Sequence, residues 1–216
     1  MKNSNILVAL AAAASLSAPA SAKDDAPLAK CAAPHGTVAL VDGDTQGWTK
    51  LGLGSPRDLL RAMITESNCF TMHDPSSARP ADFLMSAIAG DKEEVDQGIN
   101  VARAALTEGA LRTGALGAAS SIPVAGAALR LFSGFGGKKK TVAAGLRLVN
   151  PTTGQTLIAA SGQAKKSSLS WGGVGGYGSS KDGKLLSAAF GTAYNSLVSQ
   201  SGSLASLRPA VVNGAK

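Results

Sequence analysis

The chain has 216 residues, a net charge of +7 at pH 7 and only 4% aromatic residues. That charge suits an anionic surface, but apart from Lys138-Lys139-Lys140 the cations are scattered, and no basic helix is interleaved with aromatics. Nucleic acid is therefore not an expected partner, and the scarcity of large side chains predicts a core of closely packed small ones.

The first residues read as an address. Lys2 forms a basic n-region, Ile6 to Leu16 an apolar h-region, and Ala20-Ser21-Ala22 a cleavage site. Residues 1–22 are expected to be a signal peptide, leaving about 190 residues outside the cytoplasm, enough for one domain with a sizeable core. "LAKC", Leu28 to Cys31, has the look of a lipid-attachment box. Its cysteine lies too far past the h-region, however, and Lys30 stands where a small residue belongs.

Residues 23–36, rich in Ala and Pro, predict a flexible arm. "TVALVD", Thr37 to Asp42, reads as a buried strand ending at the turn residues "DGDTQG". In "GLGSPRDLLRAMITESN", Ser55 is the expected N-cap, Pro56 the first helical residue and Asp58 a partner for the helix dipole. Leu59, Leu60, Met63 and Ile64 follow at helical spacing and predict a helix over 56–67. "CFTMHD", Cys69 to Asp74, reads as a second strand, which makes the opening β-α-β with a right-handed parallel crossover. A third strand is expected over 82–89. Only seven residues, "PSSARPA", lead into it, too few for a parallel crossover to an adjacent strand. It therefore runs antiparallel to the second strand or is not its neighbour.

Val95, Ile99, Ala102 and Leu106 keep a helical period and predict a helix over 94–112. The Gly/Ala-rich stretch 113–137, broken by Pro123 and Arg130, is no transmembrane helix. It reads as a loop or Ala-rich packed helix, or as a segment that touches lipid or another subunit. "KKKTVAAGLRLVNPTTGQTLIAASGQAKKS" is a hairpin, alternating along Val142, Ala144, Leu146 and Leu148, turning at Pro151 to Gly154 and returning over about 155–164. "WGGVGGYGSS" is a glycine loop carrying Trp171 and Tyr177. "KLLSAAFGTAYNSLVSQ" is an amphipathic helix with Leu185, Leu186, Ala189, Phe190, Ala193, Tyr194 and Leu197 on its apolar stripe, and 201–216 reads as a flexible tail.

Candidate chemistry is thin. Cys31 and His35 repeat the spacing of Cys69 and His73. On a strand, however, residues four apart stand ~13 Å from each other at ~3.3 Å per residue, which no single zinc ion can bridge. A Cys31–Cys69 disulfide is the expected state of two cysteines in an exported chain, since parallel neighbouring strands begin at the same sheet edge. "GLGSP" and "GGVGGYG" lack the spacing of phosphate-binding or dinucleotide loops. There is no G-x-S-x-G. Asp42 and Asp44 lie at a strand end, where open α/β sheets place active sites, but no base or metal cluster accompanies them and turn chemistry accounts for both. No enzyme activity and no cofactor are expected.

Four segments in order, "CAAPHGTVALVDGD", "LGLGSPRDLLRAMITESNCFTM", "LRLVNPTTGQTLIAASGQAKKS" and "GKLLSAAFGTAYNSLV", resemble the CsgG/HfaB family of curli- and holdfast-associated envelope proteins. The resemblance spans most of 31–200 and is weakest over 75–137. It implies a single α/β domain over 37–200: a mixed β-sheet flanked by helices, with a C-terminal β-hairpin followed by an amphipathic helix. It further implies a periplasmic location with outer-membrane contact, and rings of subunits in pore-forming members. Those members insert β-hairpins between the same segments. Here 167–180 has room for one spanning strand and 113–137 shows no sustained alternation, which argues against a pore.

The expected role is non-enzymatic: assembly or secretion of extracellular structures through contacts with other envelope or secretion proteins, with homo-oligomerisation open. The expected contact surface comprises Phe132, Phe135, Trp171 and Tyr177. The alternative is a monomeric adaptor or activator that binds peptidoglycan or a cell-wall synthase.

Overall fold

The computed structural model describes residues 27–113, 141–165 and 176–204. They form one mixed α/β domain. Five strands, β1 (Thr37–Gln46), β2 (Thr71–Met72), β3 (Phe83–Gly90), β4 (Val142–Val149) and β5 (Thr156–Ala164), make one sheet in the order β2-β1-β3-β4-β5. β2, β1 and β3 run parallel, and β4 and β5 continue antiparallel. The short path from β2 to β3 is resolved as its length required: β3 is parallel but sits on the far side of β1.

Side chains alternate along each strand, and the sheet has two unequal faces. On the main face Phe83, Met85, Ala87, Leu146, Leu148, Ile158 and Ala160 meet helices α1 (Arg57–Ser67) and α3 (Lys181–Gln200). On the second face a small cluster of Ile88, Ala143 and Ala159 meets Val95, Ile99 and Ala102 of α2 (Lys92–Thr113). Every residue of the expected α3 stripe is buried. The helix begins three residues earlier than its apolar period suggested, because the Ser180 hydroxyl accepts from the Gly183 N–H at 2.9 Å and caps it.

Gly162 of β5 lets the helix settle. A Cβ there would overlap the Ala189 carbonyl and the Ala193 amide nitrogen of α3. Small residues thus bring sheet and helix backbones together, which is how a core poor in aromatics reaches native density.

Three local expectations are corrected. β1 does not end at Asp42: its register shifts between Asp42 and Gln46, and the "DGDTQ" stretch stays paired with β3, aided by Gly47 N–H donating to Ala89 O at 2.7 Å. Gly43 and Gly47 allow this, since a Cβ at either would collide with a β3 carbonyl. Ser55 does not cap α1. Pro56 holds the N-cap position without a side-chain bond, and the Ser55 hydroxyl donates instead to the Asp42 carboxylate at 2.6 Å, a charge-assisted bond stronger than one to a backbone amide. β2 is confined to Thr71–Met72, although backbone bonds on either side of it, His35 N–H to Cys69 O at 2.8 Å and His73 N–H to Val38 O at 2.9 Å, continue its contact with the chain before and within β1.

The sheet register sorts the connections into two poles. At one, Gly90 lies opposite Ala143 and Val142 opposite Ala164. The chain leaves or enters here for the 47–56 loop, for α2 and for segments 114–140 and 166–175. At the other, Val38 lies opposite Phe83 and Val149 opposite Thr156, where the 73–82 connection and the β4–β5 turn lie. The Asn150 side chain closes the hairpin by accepting from the Thr152 and Thr153 N–H groups at 2.8 and 3.2 Å, with Gly154 at φ 68°.

Gly162→Val is expected to destabilise the domain by about 2–3 kcal/mol through overpacking, seen as a lower urea midpoint with an unchanged slope. An unaltered midpoint would show that α3 can move away without cost.

Candidate functional site

Asp42 and Asp44 were the nearest approach to a catalytic pair, and the structure separates them. Residues two apart on a regular strand share a face, but the register shift intervenes. Asp42 turns to the main face, where it accepts from Ser55 and pairs with Arg57 at 3.1 Å. Asp44 is 93% exposed on the second face and meets Arg147 of β4 at 3.3 Å. The two carboxylates do not converge on one reacting atom.

Of the expected contact residues, Phe132, Phe135 and Trp171 lie outside the described residues. Tyr177 is described, and it is no surface residue: it is fully buried, and its hydroxyl donates to the Gly54 carbonyl at 2.7 Å. The bond ties the end of the glycine loop to the turn before α1. Burial pushes the Tyr177 phenol well above its ordinary pKa, and the Asp42 carboxylate adds to the shift.

An exposed ion pair stands at this pole. Lys50, after β1, and Glu94, in the first turn of α2, form it at 2.6 Å. The bond to Lys50 lowers the Glu94 pKa and raises that of Lys50.

The opposite pole is built around the expected disulfide, which the structure forms between Cys31 and Cys69 with their Cα atoms 4.9 Å apart. Around it the entry segment is tied at several points. The Cys31 N–H donates to Ser67 O at 2.9 Å, and the Asn68 amide donates to Cys31 O at 3.2 Å. Asn68 adopts the left-handed conformation that ends α1. Leu28 is buried against the main core. The Asn195 carboxamide of α3 brackets the segment, accepting from Ala29 N–H at 2.7 Å and donating to Pro27 O at 2.9 Å. Beneath the bridge the Ser67 hydroxyl lies 2.6 Å from the Tyr194 hydroxyl and accepts from Cys69 N–H at 3.1 Å. Burial pushes the Tyr194 phenol up to about 12, against a smaller opposing effect of Ser67.

Sequence reasoning found the bridge and missed Asn195 and Arg147. Both carried a signal. An Asn inside a long apolar helix pays a propensity cost that a side-chain bond offsets. Arg147 is the lone charge in "VAAGLRLV"; its side chain is 16% exposed, and its Nε is buried without a hydrogen-bond partner.

Replacing both cysteines by serine is expected to cost about 3–4 kcal/mol, the chain-entropy value for a loop of this length, measured by urea unfolding. The tyrosines predict an alkaline limit. Their folded pKa values are raised, so their contribution is complete below the ordinary tyrosine value of about 10 and is lost as pH rises towards 12. Tyr194→Phe should remove part of that alkaline loss in pH-dependent melting, at a cost of about 1 kcal/mol at neutral pH from the missing hydroxyl bond.

A scan against protein-family models finds no match, and a search of the curated proteins finds none either. Among solved structures, the chain is matched to a "putative lipoprotein" from Caulobacter crescentus CB15 at 13% identity, covering 80% of this chain and 93% of that one, with a TM-score of 0.30. A likeness that remote carries no functional argument, and none of these findings singles out the CsgG/HfaB family.

Proposed function

We propose that this is a non-enzymatic cell-envelope protein that works by contact, with the pole of long connections as its working end. One observation carries the reading. The paired ends of β4 and β5, Val142 opposite Ala164, launch both segments that composition marked as contact surfaces. From Gly109 to Lys181 the chain has no Asp or Glu, while Lys138, Lys139, Lys140, Lys165 and Lys166 flank those strand ends. A run so one-sided favours an acidic partner or anionic membrane surface. The other pole, with its bridge, has the character of a rigid base.

The finer reading is a periplasmic or outer-membrane-associated protein of the CsgG/HfaB type, acting in assembly or secretion of extracellular structures. It is supported by the leader-like N-terminus, by the bridge that an oxidising compartment permits, and by the four segments that prompted the resemblance. Those segments supply β1, α1, the hairpin and α3, the rigid frame of the domain.

Mass measurement of the mature protein in mild detergent tests the reading. A closed ring of many subunits would support it. A strict monomer that co-sediments with purified cell wall would replace it with the adaptor alternative. Turnover in a hydrolase screen, abolished by Asp42→Asn, would overturn the non-enzymatic reading altogether.

A further inference from the structure

We propose that Cys31 is the thiol-exchange site of the folded protein, and that modification there unlatches the entry segment while the sheet stays folded. The inference does not depend on the envelope function above. It rests on the unequal placement of the two sulfurs. Cys69 is completely buried between α1 and β2, beneath the entry segment. Cys31 is only partly buried at the edge of the main core, with exposed residues on either side at Lys30 and Ala32, and its Sγ lies 3.6 Å from the His35 imidazole. His35 itself packs edge-on against Phe70, ring centres 6.0 Å apart, and so marks the boundary between the core and the open side of the bridge.

A thiolate arriving from solvent therefore meets Cys31 first. The chemistry is a simple exchange. The external thiolate attacks Cys31 Sγ, a mixed disulfide forms there, the Cys31–Cys69 bond breaks, and Cys69 leaves as a thiolate that takes up a proton. No other oxidant or reductant is consumed. Running backwards, the Cys69 thiolate expels the adduct from Cys31 and restores the bridge. The ligand class is a thiol, either a small molecule such as glutathione or an exposed cysteine of a redox partner.

What the exchange releases follows from the contacts. Without the bridge, the entry segment keeps buried Leu28, the Asn195 bracket and a few backbone bonds. The strands β3, β4 and β5 and helix α3 are held together independently, through the main core and their own ladders. The latch is thus local, and Asn195 sets how readily the segment lifts to admit a thiol.

The test uses the mature oxidised protein. It is incubated with reduced glutathione under native conditions, quenched with acid, alkylated with N-ethylmaleimide and mapped by peptide mass spectrometry. Glutathione on Cys31 and maleimide on Cys69 are expected. Adducts on Cys69, or equally on both as exchange through global unfolding would give, overturn the proposal, as does a bridge that never reacts. Hydrogen exchange on the adduct should show amides over 27–36 opening locally and far faster than those over 83–90 and 142–164, which lose no more protection than the global destabilisation imposes; strands that open as readily as the entry segment refute the local latch. Asn195→Ala should raise the rate of adduct formation several-fold, and an unchanged rate refutes the role of the bracket.

Discussion

The packing of α3 across the β4–β5 hairpin is the contact on which the domain depends. It joins the last helix to the last two strands, and through β3 to the parallel half of the sheet. Its closeness comes from absence: glycine at 162 and alanines at 189 and 193 remove the side chains that would hold the backbones apart. Larger residues such as Leu146, Phe190 and Tyr194 then fill the flanks. A chain with so few aromatics reaches a dense interior this way, at the cost of tolerating little at the contact itself.

The parallel half has a weaker claim to independence. β2 is two residues long and α1 has few neighbours beyond the sheet and α3, so this edge relies on ties from outside the ladder. The disulfide supplies one, and the entry segment, pinned by Asn195 and by Leu28, supplies another. Tyr177 does the corresponding work at the other pole, where its hydroxyl fastens the turn before α1. Two distant stretches of chain, one before β1 and one after β5, thus complete a half-sheet that its own strands do not hold firmly.

This arrangement gives the domain a direction. The covalent closure lies at one pole, and at the other the paired strand ends Val142 and Ala164 adjoin two stretches of sequence that carry lysine and no Asp or Glu. Function in such folds is carried by the connections while the sheet positions them. The main-face and second-face carboxylates, Asp42 and Asp44, serve that positioning by pairing with Arg57 and Arg147.

Much of this was legible in the chain itself. Period-two alternation marked β4 and β5, helical spacing marked α1, α2 and α3, and two cysteines behind a leader-like N-terminus implied their pairing. These are local or compositional signals, and each survives in the tertiary structure because burial enforces the same periodicity. What the sequence could not settle depends on partners far along the chain. β1 runs past Asp42 only because glycines let it lie against β3, Ser55 forsakes its helix for a carboxylate thirteen residues away, and Tyr177 looks like a loop tip until Gly54 offers a carbonyl beneath it. Whether a polar or aromatic side chain faces water or the core is decided by what the fold brings beside it, and no local pattern records that.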